Sequence, residues 1–232
     1  MDFSKATVSD LLSRLPEADR THLLNLGNVQ EFVKGEFIFS AGESNHHIFL
    51  LLSGRIKIYQ SSTTGKEAIL WFCFAGELFG LAEAALGGGR MVSAQACDAC
   101  EVLRIPQEIF RTFLETHPRT SLVIVQVLAS RLRVLGDMVI SLISDDVRTR
   151  ILKIVLQLGS RCGVPSTQGL RLDIAFTHQE LADMIGTTRQ TVTTTLGQLE
   201  YEGVLATDNH KIHITGSELL AQIWRTQSLS QV

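Results

Sequence analysis

The chain has 232 residues, 45% of them apolar and 19% charged, and a formal net charge of −3. That length and apolar share allow two ordinary domains with sizeable cores, while the slight negative charge excludes a general attraction to phosphate, so any nucleic-acid contact must come from a local site. Four cysteines, an uncharged stretch at residues 120–130 far short of a membrane span, and no basic-then-apolar leader in residues 1–10 predict a soluble, cytoplasmic chain with reduced thiols and no membrane partner.

Residues 8–15 and 16–26 read as helical pieces, with Pro16 at the start of the second, where a missing N–H costs nothing. From residue 28 to 106 the pattern becomes short β-rich runs, including residues 37–39, 48–52, 55–59 and 68–74. Gly42, Gly54, Gly65 and Gly76 fall 12, 11 and 11 residues apart, the spacing of successive strands in a compact barrel or sandwich. A β-roll or jelly roll capped by the leading helices is expected.

After Pro106 the period becomes helical, over residues 107–115 and then 118–143. Val125, Leu128, Leu132, Leu135, Val139 and Leu142 recur at intervals of 3, 4, 3, 4 and 3, the seam of a coiled coil. Ile124, Val127, Val134, Met138 and Ile140 make other faces of the same helix apolar, so it needs cover on several sides, from its own roll and from a second copy. A single buried core helix in a monomer is the plainer alternative. Ser144, Asp145 and Asp146 then supply capping oxygens for a fresh helix over residues 147–158, which places a hinge here. Residues 163–169, with Pro165, read as a loop and residues 170–175 as a strand.

Residues 176–205, FTHQELADMIGTTRQTVTTTLGQLEYEGVL, carry the functional signal. Thr177 and Glu180 form a capping box for a helix that turns Leu181, Ala182 and Ile185 inward. Gly186 supplies the positive φ of a sharp turn. Thr187 or Thr188 caps a second helix whose Val192, Leu196 and Leu199 pack back on the first, as in a helix-turn-helix. Residues 204–205 and 211–214 around Asp208 and Asn209 read as a β-hairpin wing.

The outer face of the second helix presents Arg189, Gln190, Thr193 and Thr194 together. Arginine pairs with guanine, glutamine with adenine, and threonine offers a hydroxyl or a methyl for thymine. Thr177, Gln179, Thr188 and Thr191, near helix N-termini, suit phosphate oxygens. A solvated threonine-rich helix is the bland explanation, yet six threonines between 187 and 195 are a cost to a helix unless they are used. Residues 145–232 hold eight Lys or Arg against nine Asp or Glu, a net of −1, so binding is expected to depend on dimeric, base-specific contact.

In this order of elements the chain resembles the Crp/Fnr superfamily of transcription regulators over nearly its whole length. Phe39-Ser40-Ala41-Gly42-Glu43 and Leu52-Ser53-Gly54 carry the likeness in the roll, and Gly186-Thr187-Thr188-Arg189-Gln190-Thr191-Val192 carries it most specifically. The resemblance implies that Arg189 and Gln190 read bases and that Thr194 replaces a second contacting arginine. It also implies an effector pocket between the roll and the dimer helix.

The subtype follows from individual residues. Cyclic-AMP-binding members use a glycine-glutamate and an arginine-serine pair, where this chain has Phe79-Gly80-Leu81 and Arg90-Met91. Iron–sulfur members carry an N-terminal cysteine cluster, whereas the first cysteine here is Cys73. Haem-binding members place ligands near Gly80 and Ala82, which bind no iron. Cys97 and Cys100, three apart in an extended strand, face opposite ways and read as core thiols. The pattern is most similar to the NtcA-type nitrogen regulators, which respond to 2-oxoglutarate. That likeness assigns Phe79, Gly80, Leu81, Arg90 and Arg131 to a dicarboxylate-like effector, although Gly136 stands where those proteins have an acidic pocket residue. Two arginines and backbone N–H groups make a sensible carboxylate cradle.

No nucleophile elbow, P-loop or helical zinc motif is present in the sequence, so no catalytic residue, metal ligand or resident cofactor is assigned and an enzyme is not expected. The fold expected is α+β: an effector-sensing, cyclic-nucleotide-binding-like β-roll at 1–117, a dimerisation helix at 118–143, and a winged helix-turn-helix at 144–232. The function expected is that of a homodimeric activator on palindromic double-stranded DNA, partnered with RNA polymerase. A cyclic-nucleotide-binding or redox-sensing regulatory protein is the alternative.

Overall fold

The computed structural model describes residues 10–44, 46–167, 169–208, 211–216, 218–219 and 221. These fall into two compact units, one ending at Arg131 and one beginning at Leu132.

In the first unit the helical reading of residues 8–15 lies partly outside the described residues, and the rest is a single 3-10 turn, Leu12–Arg14. Helix α1 is Glu17–Leu24. Eight strands follow: β1 Asn28–Phe32, β2 Phe37–Phe39, β3 His47–Ser53, β4 Ile56–Ser61, β5 Glu67–Cys73, β6 Leu78–Phe79, β7 Ser93–Ala96 and β8 Cys100–Pro106, with the short helix α2, Leu81–Leu86, between β6 and β7. They form two antiparallel sheets of order β1-β8-β3-β6 and β2-β7-β4-β5.

Successive side chains of a strand point to opposite faces, and β3 shows the consequence. Phe49 and Leu51 join Phe39, Ile56, Ile58, Phe79, Ala94 and Val102 from both sheets in one core. Ile48 and Leu50 face the other way, onto Leu23, Leu103, Ile105, Phe110, Phe113 and Ile124. A strand buried on both faces must be apolar without alternation, which is why HIFLLLS reads as one run. The second layer comes from α1, from α3 (Gln107–Thr116) and from the start of α4 (Pro118–Ser144). Gly54 permits the β3–β4 turn: at φ +86° a β-carbon there would stand 2.3 Å from the Ala99 carbonyl oxygen.

The second unit holds the rest of α4, then α5, Val147–Cys162, capped by Asp146, whose carboxylate accepts the Thr149 N–H at 2.8 Å. Helix α5 runs four residues past the expected end at 158. The loop expected at 163–169 is instead a strand pair, β9 Gly163–Ser166 with β10 Gly169–Leu172, in which Pro165 lies opposite Leu170. Strand β9 is the edge of the sheet β11-β12-β10-β9, where proline is tolerated because the outer side of the ladder is open. Helices α6, His178–Ile185, and α7, Arg189–Tyr201, precede the hairpin of β11, Leu205–Asp208, and β12, Lys211–Ile214. Asn209, expected in the hairpin turn, lies outside the described residues.

The fold is thus mixed α and β, a roll of two sheets followed by a long helix and a winged helix-turn-helix.

Candidate functional site

Helix α6 starts at Thr177, whose hydroxyl accepts the Glu180 N–H at 3.1 Å while the Glu180 carboxylate accepts the Thr177 N–H at 2.8 Å. The box satisfies backbone donors that a helix start leaves open. Leu181, Ala182 and Ile185 are buried, and Gly186 ends the helix in the left-handed region at φ +69°. Of the two candidate caps for α7, Thr188 does the capping: its hydroxyl accepts the Thr191 N–H at 3.1 Å. Val192, Leu196 and Leu199 are buried on the inner side of α7.

The structure leaves Arg189, Gln190, Thr193 and Thr194 exposed on α7, with Thr177, Gln179 and Thr188 exposed and Thr191 half-buried nearby. Several of these polar groups also serve the fold. The Thr193 hydroxyl donates to the Arg189 carbonyl at 2.9 Å and lies 2.8 Å from His178 Nδ1. Thr195 donates to the Thr191 carbonyl at 2.9 Å, and Gln179 donates its amide to Asp183 at 2.8 Å. The threonine-rich sequence of α7 therefore has local structural uses, a reading that composition alone did not supply. Back-bonding of this kind satisfies hydroxyls but adds little to helix stability. The far end of α7 is tied to α5 by a two-pronged pair, Arg148 to Glu202, at 3.0 and 2.5 Å.

In the roll, Phe79 closes β6, Gly80 takes φ +74°, and Leu81 opens α2. Arg90 joins them: its guanidinium donates to the Gly80 carbonyl at 2.9 Å, to the Glu83 carboxylate at 3.0 Å and to the His47 carbonyl at 2.6 Å. It also lies 4.3 Å from the Phe39 ring centre, an attractive cation–π distance. The Arg90 side chain is 0% exposed and that of Glu83 8%. Burial pushes the Glu83 carboxyl up, but the Met91 N–H and the Arg90 guanidinium outweigh it and leave the carboxyl below its ordinary value.

Arg131, on α4, is held by a different acid, with 3.5 Å to Glu77 and its guanidinium 5.7 Å from the Trp71 ring centre. Both arginines assigned to the effector are therefore already neutralised by carboxylates of the chain itself. In the sequence Glu83 stands two residues off the position of the glutamate that cyclic-AMP-binding members use, and nothing marks Glu77. A buried arginine needs an acid partner, but nothing in the sequence says which.

Among the described residues no disulfide joins Cys73, Cys97, Cys100 or Cys162. Cys100 is buried, and burial followed by the Asp98 charge pushes its thiol up, which disfavours the reactive thiolate. Among the described residues no group of three or more His, Cys, Asp or Glu is arranged to hold a metal ion, and no helix is long and apolar enough to cross a membrane.

Residues 29–117 match the "Cyclic nucleotide-binding domain" family and residues 149–223 the "Crp-like helix-turn-helix domain" family. A global nitrogen regulator of Synechocystis is 30% identical over 84% of this chain and 87% of its own length. A CRP-like cAMP-activated global transcriptional regulator of Mycobacterium tuberculosis is 28% identical over 83% of this chain and 86% of its own length. Among solved structures, a CooA mutant from Carboxydothermus hydrogenoformans superposes with a TM-score of 0.73 at 24% identity, covering 90% of each chain. The c-di-GMP responsive global regulator CLP of Xanthomonas campestris gives 0.74 at 20% identity, covering 87% of this chain and all of the other. These two share the fold. With both domain families matched in order and relatives that are regulators and not enzymes, the chain belongs to the Crp/Fnr family of transcription regulators.

Proposed function

We propose that the chain is a cytoplasmic homodimeric activator that reads palindromic duplex DNA with one α7 per copy, responds to a small anionic effector in the roll, and acts together with RNA polymerase. In this reading residues 1–117 sense, 118–143 dimerise and 144–232 bind DNA. The supporting observation is helix α7, which buries Val192, Leu196 and Leu199 and turns Arg189, Gln190, Thr193 and Thr194 to solvent. Arg189 and Gln190 lie in its first turn, where a recognition helix meets base edges. Thr177, Gln179, Thr188 and Thr191 set register on phosphates.

The dimer reading rests on α4. Val125, Leu128, Leu132, Val139 and Leu142 are all exposed, Leu132 to 72%, and only Leu135 of the seam is half-buried. Soluble chains rarely leave such a stripe uncovered, and a two-fold partner covers it with the same stripe. Two copies then place their α7 helices roughly 34 Å apart, one helical turn of DNA.

For the effector, Phe79, Gly80, Leu81, Arg90 and Arg131 define the region, and an acid such as 2-oxoglutarate is the first candidate because the nitrogen regulator is among the relatives. Cyclic AMP is the second, from the cAMP-activated relative. A random-oligonucleotide selection, run without ligand and with each of the two, tests the whole reading. A palindromic motif sharpened by one ligand supports it, and recovery of no preferred sequence under any condition overturns it.

A further inference from the structure

Besides Arg20 of α1, which pairs with Glu17, four arginines of the first unit are buried or half-buried: Arg55, Arg90, Arg104 and Arg131. Arg55 faces Asp98, Arg90 faces Glu83 and Arg131 faces Glu77, each within 4.0 Å. Among the described residues Arg104 has no carboxylate within that distance. Its guanidinium lies 3.2 Å from His47 Nδ1, and its Nε is shut off from solvent without a hydrogen-bond partner. Since arginine only donates, His47 Nδ1 accepts, and the imidazole proton of the neutral ring sits on Nε2. Burial, then the charges of Arg104 and Arg90, lower the pKa of the ring and so favour its neutral form.

Strand alternation gives the direction. On β8, Cys100 and Val102 point into the core between the sheets and Leu103 and Ile105 point to the helices, so Arg104 points to the inter-sheet side. It thus shares a side with Phe49, its register partner on β3, and Phe49 lies against Arg90 at 5.6 Å. Arg90 and Arg104 both bond to His47, one at its carbonyl and the other at its ring. His46, exposed, stands next in the chain. This end of the roll therefore collects two guanidiniums and two imidazoles; of the nearby acids, Glu83 is held by Arg90, and the exposed Glu43 meets Arg90 through its carbonyl, which accepts the Arg90 backbone N–H at 2.9 Å.

We infer that Arg104, with His47, forms an anion subsite at this end of the roll, which takes a carboxylate or phosphate group of the effector. The inference rests on the reading of the roll as an effector domain, but moves the first anion contact away from Arg90, which is occupied. A half-buried guanidinium without a counter-charge is costly until an anion arrives, and its flat fork matches a two-oxygen ligand.

The test uses the full chain in a buffer free of multivalent anions, with inorganic phosphate as probe and sodium chloride at matched ionic strength as control. Phosphate should raise the melting temperature of the wild type beyond chloride and give a measurable Kd by calorimetry. Arg104→Gln should weaken that Kd at least tenfold, and Arg104→Lys by a few fold, because it keeps the charge and loses the fork. Both variants should keep wild-type circular dichroism. Equal phosphate binding in wild type and Arg104→Gln, or no wild-type response beyond chloride, overturns the subsite. The effector reading is judged separately, by whether 2-oxoglutarate or cyclic AMP changes DNA binding.

Discussion

Leu142 Cδ2 lies 3.0 Å from the point where a β-carbon on Gly186 would stand. The last residue of the apolar seam thus touches the turn that aims α7, while 48% of its surface stays open. Gly186→Ala should cost about 1–2 kcal/mol for the left-handed backbone, plus a steric share from Leu142. In the double variant Gly186→Ala with Leu142→Ala, the steric share should return and the backbone share should not. A urea double-mutant cycle checks this, and additive losses would show that the two positions do not communicate.

Arg189 is exposed and bears no fold-maintaining side-chain bond among the described residues, so Arg189→Ala should leave the melting temperature unchanged. Specific DNA binding should fall by about 1–3 kcal/mol, with preference relaxed at one base position per half-site. Competition footprinting against singly altered operators reads both. Uniform weakening across all operators would make Arg189 a phosphate contact instead.

Thr188 and Thr193 separate structural from recognition threonines. Thr188→Ala removes the cap on Thr191 and should cost about 1 kcal/mol of stability. Thr193→Val keeps the shape and a methyl for thymine but loses the bonds to Arg189 O and His178. It should lower stability less than Thr188→Ala, as seen in urea midpoints.

The elements easiest to read from sequence were those whose burial has a period. Helices α6 and α7 follow from Leu181, Ile185, Val192, Leu196 and Leu199 with Gly186 between them, and both caps are local bonds. Strand β7, Ser93–Ala96, has no β-branched residue and exists because β2 and β4 flank it. Pro165 reads as a loop because propensity does not distinguish an edge strand from a turn. In the roll, the glycines and Arg90 were legible, but the acids Glu83 and Glu77 were not. Ion pairing across 7 and 54 positions is set by the folded surface and leaves no periodic trace.

The seam is tested by charge. Leu128→Asp and Leu132→Asp replace residues that are 44% and 72% exposed in the single chain, so neither should unfold the unit that carries it. In a two-fold contact each would place like charges face to face and remove apolar burial of about 1.5–3 kcal/mol per side chain. Light scattering should show monomers, and operator affinity should fall with the loss of the second reading helix. A variant that stays dimeric would put the contact on another face.

The ionisable groups around Arg90 predict two steps in acid stability. His47 is held below the ordinary histidine value by burial first, then by Arg104 and Arg90. The unfolded chain therefore takes this proton at higher pH than the folded one, and stability falls as pH drops below about 6.5 until the folded value is passed. Glu83 also has a lowered pKa, because the Met91 N–H and Arg90 outweigh burial. Its contribution is complete above the unfolded carboxylate value of about 4.3 and is lost as pH falls through the folded value. Urea unfolding between pH 8 and 4 should show a slope near pH 6 that His47→Gln flattens. Glu83→Gln should reduce the loss below pH 4.5 while lowering stability at pH 7, since it leaves the Arg90 guanidinium without its counter-charge. Wild-type slopes in both windows for both variants would mean that neither group is coupled to folding.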